Sequence, residues 1–66
     1  MEAYQERVIA ERAELDEKLS KLEWFIFRQP EKWFNVPEDE RLRMVKQYTH
    51  MMDYARILAE RIAAFN

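Results

Sequence analysis

Seven residues of this chain have types that could hold a charged aromatic ligand: Tyr4, Arg7, Glu11, Lys18, Gln47, Tyr54 and Arg61. All but Arg7 fall on otherwise apolar helical lines, and Arg7 stands one turn from Tyr4 and Glu11. Tyrosine rings stack on a nucleobase. Arginine and lysine meet phosphate. Gln47 or Glu11 would read base or ribose edges. Ligand pockets are mostly apolar with a few convergent polar groups, and this mixture has that composition. The competing reading is structural, because polar groups in an apolar seam must be paired or wet. Glu11 would then pair with Arg61, Tyr54 would donate its hydroxyl, and Lys18 would keep its stem in the seam and its ammonium in water. Such a network fixes register and oligomer state rather than adding stability. The sequence leaves both readings open.

Other chemistries find little support. No serine, cysteine or histidine constellation offers an activated nucleophile, so no catalytic residue is assigned. His50 has no partner pattern and reads as a solvated or packed side chain. Glycine is absent, which excludes a phosphate-cradling glycine loop and the dinucleotide fingerprint. Cysteine is absent too, so neither a disulfide nor a thiolate metal site is available. The Glu-x-x-His pattern of di-iron bundles is missing, and neither a metal nor a cofactor is expected.

The net charge is −2, with acids and bases mixed along the chain. No basic block marks a nucleic-acid footprint. No apolar run approaches the roughly 18–20 residues of a membrane span. The start, Met1-Glu2-Ala3-Tyr4, does not read as a signal peptide. The expectation is a soluble intracellular protein with neither nucleic acid nor membrane as partner.

The elements that would position the seven residues are two long helices in one domain spanning residues 1–66. The first covers about residues 2–28. Its main apolar line is Tyr4, Val8, Glu11, Leu15, Lys18, Leu22 and Phe25, and a second is Val8, Arg12, Leu15, Leu19, Leu22 and Ile26. Glu14 with Lys18 and Glu17 with Lys21 add supporting four-residue pairs. Residues Glu23 to Phe27 are apolar on nearly every side and should be buried all round.

Pro30 ends that helix, and a connector follows over about residues 29–36. Trp33 and Phe34 are expected to fold back as a lid, with a helical turn from Glu31 to Phe34. The second helix covers about residues 37–65, started by an Asn35–Glu38 capping box or by Pro37 at its first position. It presents three apolar lines. The first is Gln47, Met51, Tyr54, Leu58, Arg61 and Phe65. The second is Leu42, Val45, Thr49, Met52, Ala59 and Ile62. The third is Met44, Tyr48, Met51, Ala55, Leu58 and Ile62. A surface helix needs only one stripe.

A short connector makes long helices antiparallel neighbours. Opposing positions should then sum to about 65, placing Tyr4 near Arg61, Glu11 near Tyr54 and Lys18 near Gln47. The excess apolar surface predicts an all-α hairpin that assembles with itself as a dimer or tetramer. A core this small also needs a staple. Trp24, Phe27, Trp33, Phe34, Tyr48, Met51 and Leu58 are the expected interface residues. One hairpin is too thin to enclose a ligand, so any pocket would lie between subunits. The alternative is a module that docks on a host or phage protein through the second helix and the aromatic connector.

The pattern Tyr4-Gln5, Arg7-Val8, Glu11, Leu15-Asp16, Lys18, Leu22, Phe34, Gln47, Met51, Tyr54, Leu58, Arg61-Ile62 and Phe65 resembles very small bacteriophage helical hairpins. Proteins of this kind are similar to the sponges that disarm bacterial nucleotide-signalling immunity, and the Sequestins, which capture cyclic ADP-ribose signals of the Thoeris system, are the type it resembles. The resemblance implies binding without cleavage, in the cytoplasm of an infected bacterial host, of a small nucleotide signal such as a cyclic ADP-ribose isomer. It implicates the seven residues named above. Trp24 and Trp33 depart from the pattern, which puts the connector end in question.

Overall fold

A computed structural model describes residues 1–65. They form three helices, α1 (Ala3–Arg28), α2 (Pro30–Asn35) and α3 (Glu38–Ala63), and no strand occurs among the described residues. None of the helices is long and apolar enough to cross a membrane.

Each boundary has a local cause. At the start of α1 the Glu2 amide donates to Gln5 Oε1 at 2.9 Å, which satisfies an orphan donor and explains why Gln5 is buried. Along its surface Arg12 pairs with Asp16 at 3.5 Å and Lys21 with Glu17 at 3.2 Å. Exposed pairs of this spacing contribute only a few tenths of a kcal/mol each, about 0.3–0.5. The helix stops at Gln29, whose backbone leaves helical geometry before Pro30. Pro30 then opens α2, where its missing N–H costs nothing.

The expected Asn35–Glu38 capping box does not form, because Asn35 is the last residue of α2 and Pro37 stands at the cap of α3. Carboxylates supply the favourable charge there instead. Asp39 accepts from the Glu40 amide at 3.0 Å, and Arg43 bridges Glu40 at 2.8 Å and Asp39 at 3.3 Å.

α1 and α3 run antiparallel. Tyr4 meets Phe65 edge-on at 5.9 Å at one end, and Phe27 meets Tyr48 at 5.8 Å towards the other. Tyr4 therefore lies opposite Phe65 rather than Arg61, about one helical turn from the expected register, and the offset grows to more than two turns at Phe27 and Tyr48, so Glu11 and Lys18 do not face Tyr54 and Gln47 as expected. The cause is the connector. α2 occupies the end of the hairpin, and α3 begins beyond the end of α1, where Arg41 lies 5.1 Å over the Phe34 ring.

The core line of α1 is Gln5, Val8, Arg12, Leu15, Leu19, Leu22 and Ile26. That of α3 is Arg41, Met44, Tyr48, Met51, Ala55, Leu58, Ile62 and Phe65. Both alternate three- and four-residue steps, the spacing that keeps one face on a partner helix. Val8, Leu15 and Leu58 form the centre, with Leu19, Met51, Ala55, Ile62 and Phe65 packed around them. Leu58 is 1% exposed, so its expected place between copies is corrected: its surface is already spent inside the hairpin.

The connector end also differs from expectation. Trp33 does fold back, edge-on to Phe25 at 6.1 Å, but Phe34 points outward. The stretch from Glu23 to Phe27 is not buried all round. Only Ile26 is buried, while Trp24 and Phe27 are exposed, because one partner helix covers only one side.

Tyr48 sits half-buried beside Glu23. Burial first, and the carboxylate second, push its phenol above the ordinary tyrosine value. A raised acid pKa means the folded chain holds that proton more tightly. Its contribution is present below the unfolded value of about 10 and is lost as pH rises through the folded one. Thermal unfolding followed from pH 8 to 11 should therefore show a steeper alkaline loss for the wild type than for Tyr48→Phe. Equal slopes would remove Tyr48 from that account.

Candidate functional site

The heptad-like core lines leave two flanks on each helix. One flank consists of residues that immediately precede alternate core positions, those before Gln5, Arg12, Leu19 and Ile26 on α1 and before Tyr48, Ala55 and Ile62 on α3. On α1 these are Tyr4, Glu11, Lys18 and Phe25, and on α3 they are Gln47, Tyr54 and Arg61. The other consists of residues that immediately follow core positions: Ile9, Asp16 and Glu23 on α1, and Val45, Met52 and Ala59 on α3. When two right-handed helices pack antiparallel, like flanks fall on the same side of the seam. The ring contacts agree with this, with Tyr4–Phe65 on the first side and Phe27–Tyr48 on the second.

Six of the seven candidate ligand residues therefore share one broad face, and Arg7 stands one position further out on that side of α1. The register brings Glu11 within about a turn of Arg61, and Lys18 within about a turn of Tyr54. Tyr4 marks one end of the face and Gln47 the other. Phe25 extends the face; the sequence sets it on one line with Tyr4, Glu11 and Lys18 but does not count it among the candidate ligand residues. The seven-residue spacing from Tyr4 through Glu11 and Lys18 was the signal for it.

The face is open and polar groups on it are available. Tyr4 is 50% exposed and Tyr54 is 44% exposed. Arg7, Lys18, Gln47 and Arg61 are exposed, and Glu11 is half-buried. Arg7, Lys18 and Arg61 form no ion pair with any described residue, and the Glu11–Arg61–Tyr54 network of the structural reading is not made among them.

A single hairpin offers a face and not an enclosure. Three hollows of its surface lie away from that face, one lined by Ser20, Glu23, Trp24 and Arg28, and two along Arg28 to Asn35. No cluster of three or more histidine, cysteine, aspartate or glutamate side chains suited to a metal occurs among the described residues.

The residues expected at an interface divide. Trp24, Phe27 and Phe34 are 58%, 62% and 66% exposed and gather near the connector. Trp33, Tyr48 and Met51 are half-buried within the chain.

No curated protein and no solved structure matches this chain. One family comparison does match, under the description Sequestin, over residues 2–64 of the 66. That span takes in both long helices, the connector and all seven residues of the candidate face. The chain is a member of the Sequestin family.

Proposed function

We propose that this protein is a non-enzymatic phage anti-defence factor that captures a nucleotide immune signal of the cyclic ADP-ribose type, made by a Thoeris-like system. It would act in the cytoplasm of the infected host. The observation that carries this reading is the common face. Two exposed tyrosine rings, three cations without an ion-pair partner among the described residues, and two side chains able to read polar edges lie on one side of the hairpin. Stacking on the base and charge-assisted hydrogen bonds to a pyrophosphate are the interactions such a set provides.

The face is too long for one small ligand to touch throughout. Tyr4 and Phe25, at its two ends on α1, lie about 30 Å apart at 1.5 Å per residue. The middle rungs, Glu11 with Arg61 and Lys18 with Tyr54, are the assigned centre, and Tyr54 and Arg61 are separated by about 10 Å. Enclosure requires a second copy laid over the face, because one hairpin has no opposite wall.

Capture and release decides the matter. Protein is mixed with a panel of cyclic dinucleotides, cyclic trinucleotides and cyclic ADP-ribose isomers, and the filtrate is read by mass spectrometry before and after heat denaturation. A cyclic ADP-ribose isomer should vanish and then return intact. A signal that returns altered means an enzyme, and a panel left wholly in the filtrate ends the ligand reading.

The exposed Trp24, Phe27 and Phe34 favour a second reading, a module that docks on a host or phage protein. It predicts that Trp24→Ala removes activity against host defence without changing ligand capture.

A further inference from the structure

The flank of α3 on the side opposite the candidate face carries a second seam. Leu42, Val45, Thr49, Met52, Arg56, Ala59 and Ala63 follow one another at alternating three- and four-residue steps, the same spacing as the core line. Leu42, Val45 and Met52 are 58%, 43% and 49% exposed. The polar members are already satisfied. Thr49 Oγ1 donates to the Val45 carbonyl at 3.0 Å, and Arg56 pairs with Asp53 at 3.5 Å.

We propose that this seam seats a second copy of the chain, α3 against α3, antiparallel about a two-fold axis near Met52. A two-fold interface requires self-complementarity, in which each residue meets the partner of its own opposite number. The sequence of α3 has that property. With the axis between Met52 and Asp53, the large Leu42 comes opposite the small Ala63, Thr49 opposite Arg56, and Val45 within a residue of Ala59. On the border of the seam Lys46 comes opposite Glu60, giving two ion pairs per dimer by symmetry. Asp53 approaches its own copy near the axis, where the paired Arg56 offsets it.

A parallel pairing would carry the Lys46–Glu60 borders of the two copies to opposite sides of the seam, where they could not pair, and would align the two helix dipoles. The chain also needs the contact. Among the described residues only four apolar side chains, Val8, Leu15, Ile26 and Leu58, are buried within one hairpin.

This pairing does not depend on a ligand. If the proposed ligand face is right, a further consequence rests on it: that face lies on the other side of each hairpin and stays uncovered in the dimer. A signal enclosed between subunits then joins two dimers, and a tetramer is the closed form.

Sedimentation equilibrium without ligand tests the seam. The wild type should be a dimer at micromolar concentration. Met52→Glu sets two carboxylates together at the axis and should weaken dimerisation by about 100-fold or more. Lys46→Glu and Glu60→Lys should each weaken it by roughly tenfold, and the double variant should recover the wild-type value. That charge exchange decides the case even if Met52→Glu fails to fold. A monomeric wild type, a fully dimeric Met52→Glu, or a double variant no better than the singles overturns the proposal. So does dissociation by Phe34→Ala with Met52→Glu unaffected, which would move the contact to the connector. Loss of ligand capture with the dimer intact would instead count against the ligand face alone.

Discussion

Arg61→Ala is expected to abolish capture of the nucleotide signal while leaving helicity and assembly unchanged. The structural cost of the substitution is small. Arg61 is exposed and makes no ion pair with a described residue, so truncation leaves no buried charge unpaired. It stands in the last turn of α3, where a cation interacts with the helix dipole, and losing that costs about 0.3–1 kcal/mol. The functional cost is larger. A hydrogen bond to a charged group contributes about 1.5–3 kcal/mol, and an arginine that meets a pyrophosphate makes more than one, so binding should weaken by about 100-fold or more.

Tyr54→Ala should lose a stacked ring, about 1–3 kcal/mol. Filtrate mass spectrometry after mixing reads both effects, with circular dichroism and sedimentation run on the same samples. Retained capture by both variants would remove the central rungs from the site. Lost assembly would return Arg61 and Tyr54 to the structural reading.

The all-helical character of the chain was legible because composition and periodicity agreed. Two long heptad-like patterns, no glycine and two prolines close together leave few alternatives. The register was not legible. It depended on how many residues the connector would consume, and α2 with the overhang of α3 moved it by about one turn at Tyr4 and by more than two at Phe27. The shift leaves the face itself intact. A register shift along the axis changes which residues are level, but it does not move a residue from one flank of a helix to the other.

The choice among the three apolar lines of α3 was also beyond sequence reasoning. All three carry apolar residues at helical spacing. The third was the core because α1 offered Val8, Leu15, Leu19 and Leu22 against it, and that fact concerns a partner helix rather than α3 itself. Once the third line is the core, the first and second become its flanks. Gln47, Tyr54 and Arg61 are polar because they border the seam rather than interrupt it. The same shift explains Leu58, which was shared by the first and third lines and went wholly to the core.

Leu58→Ala should unfold the hairpin or leave it barely folded. Leu58 is 1% exposed and stands at the centre of the Val8–Leu15–Leu58 cluster. Leucine-to-alanine changes at such sites cost about 2.7–5 kcal/mol, from lost transfer energy and the cavity left behind. Domains have only about 0.05–0.15 kcal/mol of stability per residue, which for a chain this short is a total of roughly 3–10 kcal/mol. A single substitution therefore removes most of it, and two helices have little means of collapsing around the gap.

Leu42→Ala removes the same atoms from a residue that is 58% exposed in one hairpin. In dilute protein it should cost well under about 1 kcal/mol, the range for surface changes. If α3 pairs with α3 through its outer seam, the loss for Leu42→Ala grows as protein concentration rises, because dimerisation adds stability by mass action. Urea unfolding at two protein concentrations separates these cases. Leu58→Ala is expected to fail at both. A Leu58→Ala chain as stable as the wild type would mean that the hairpin is not held by the line the structure assigns to its core.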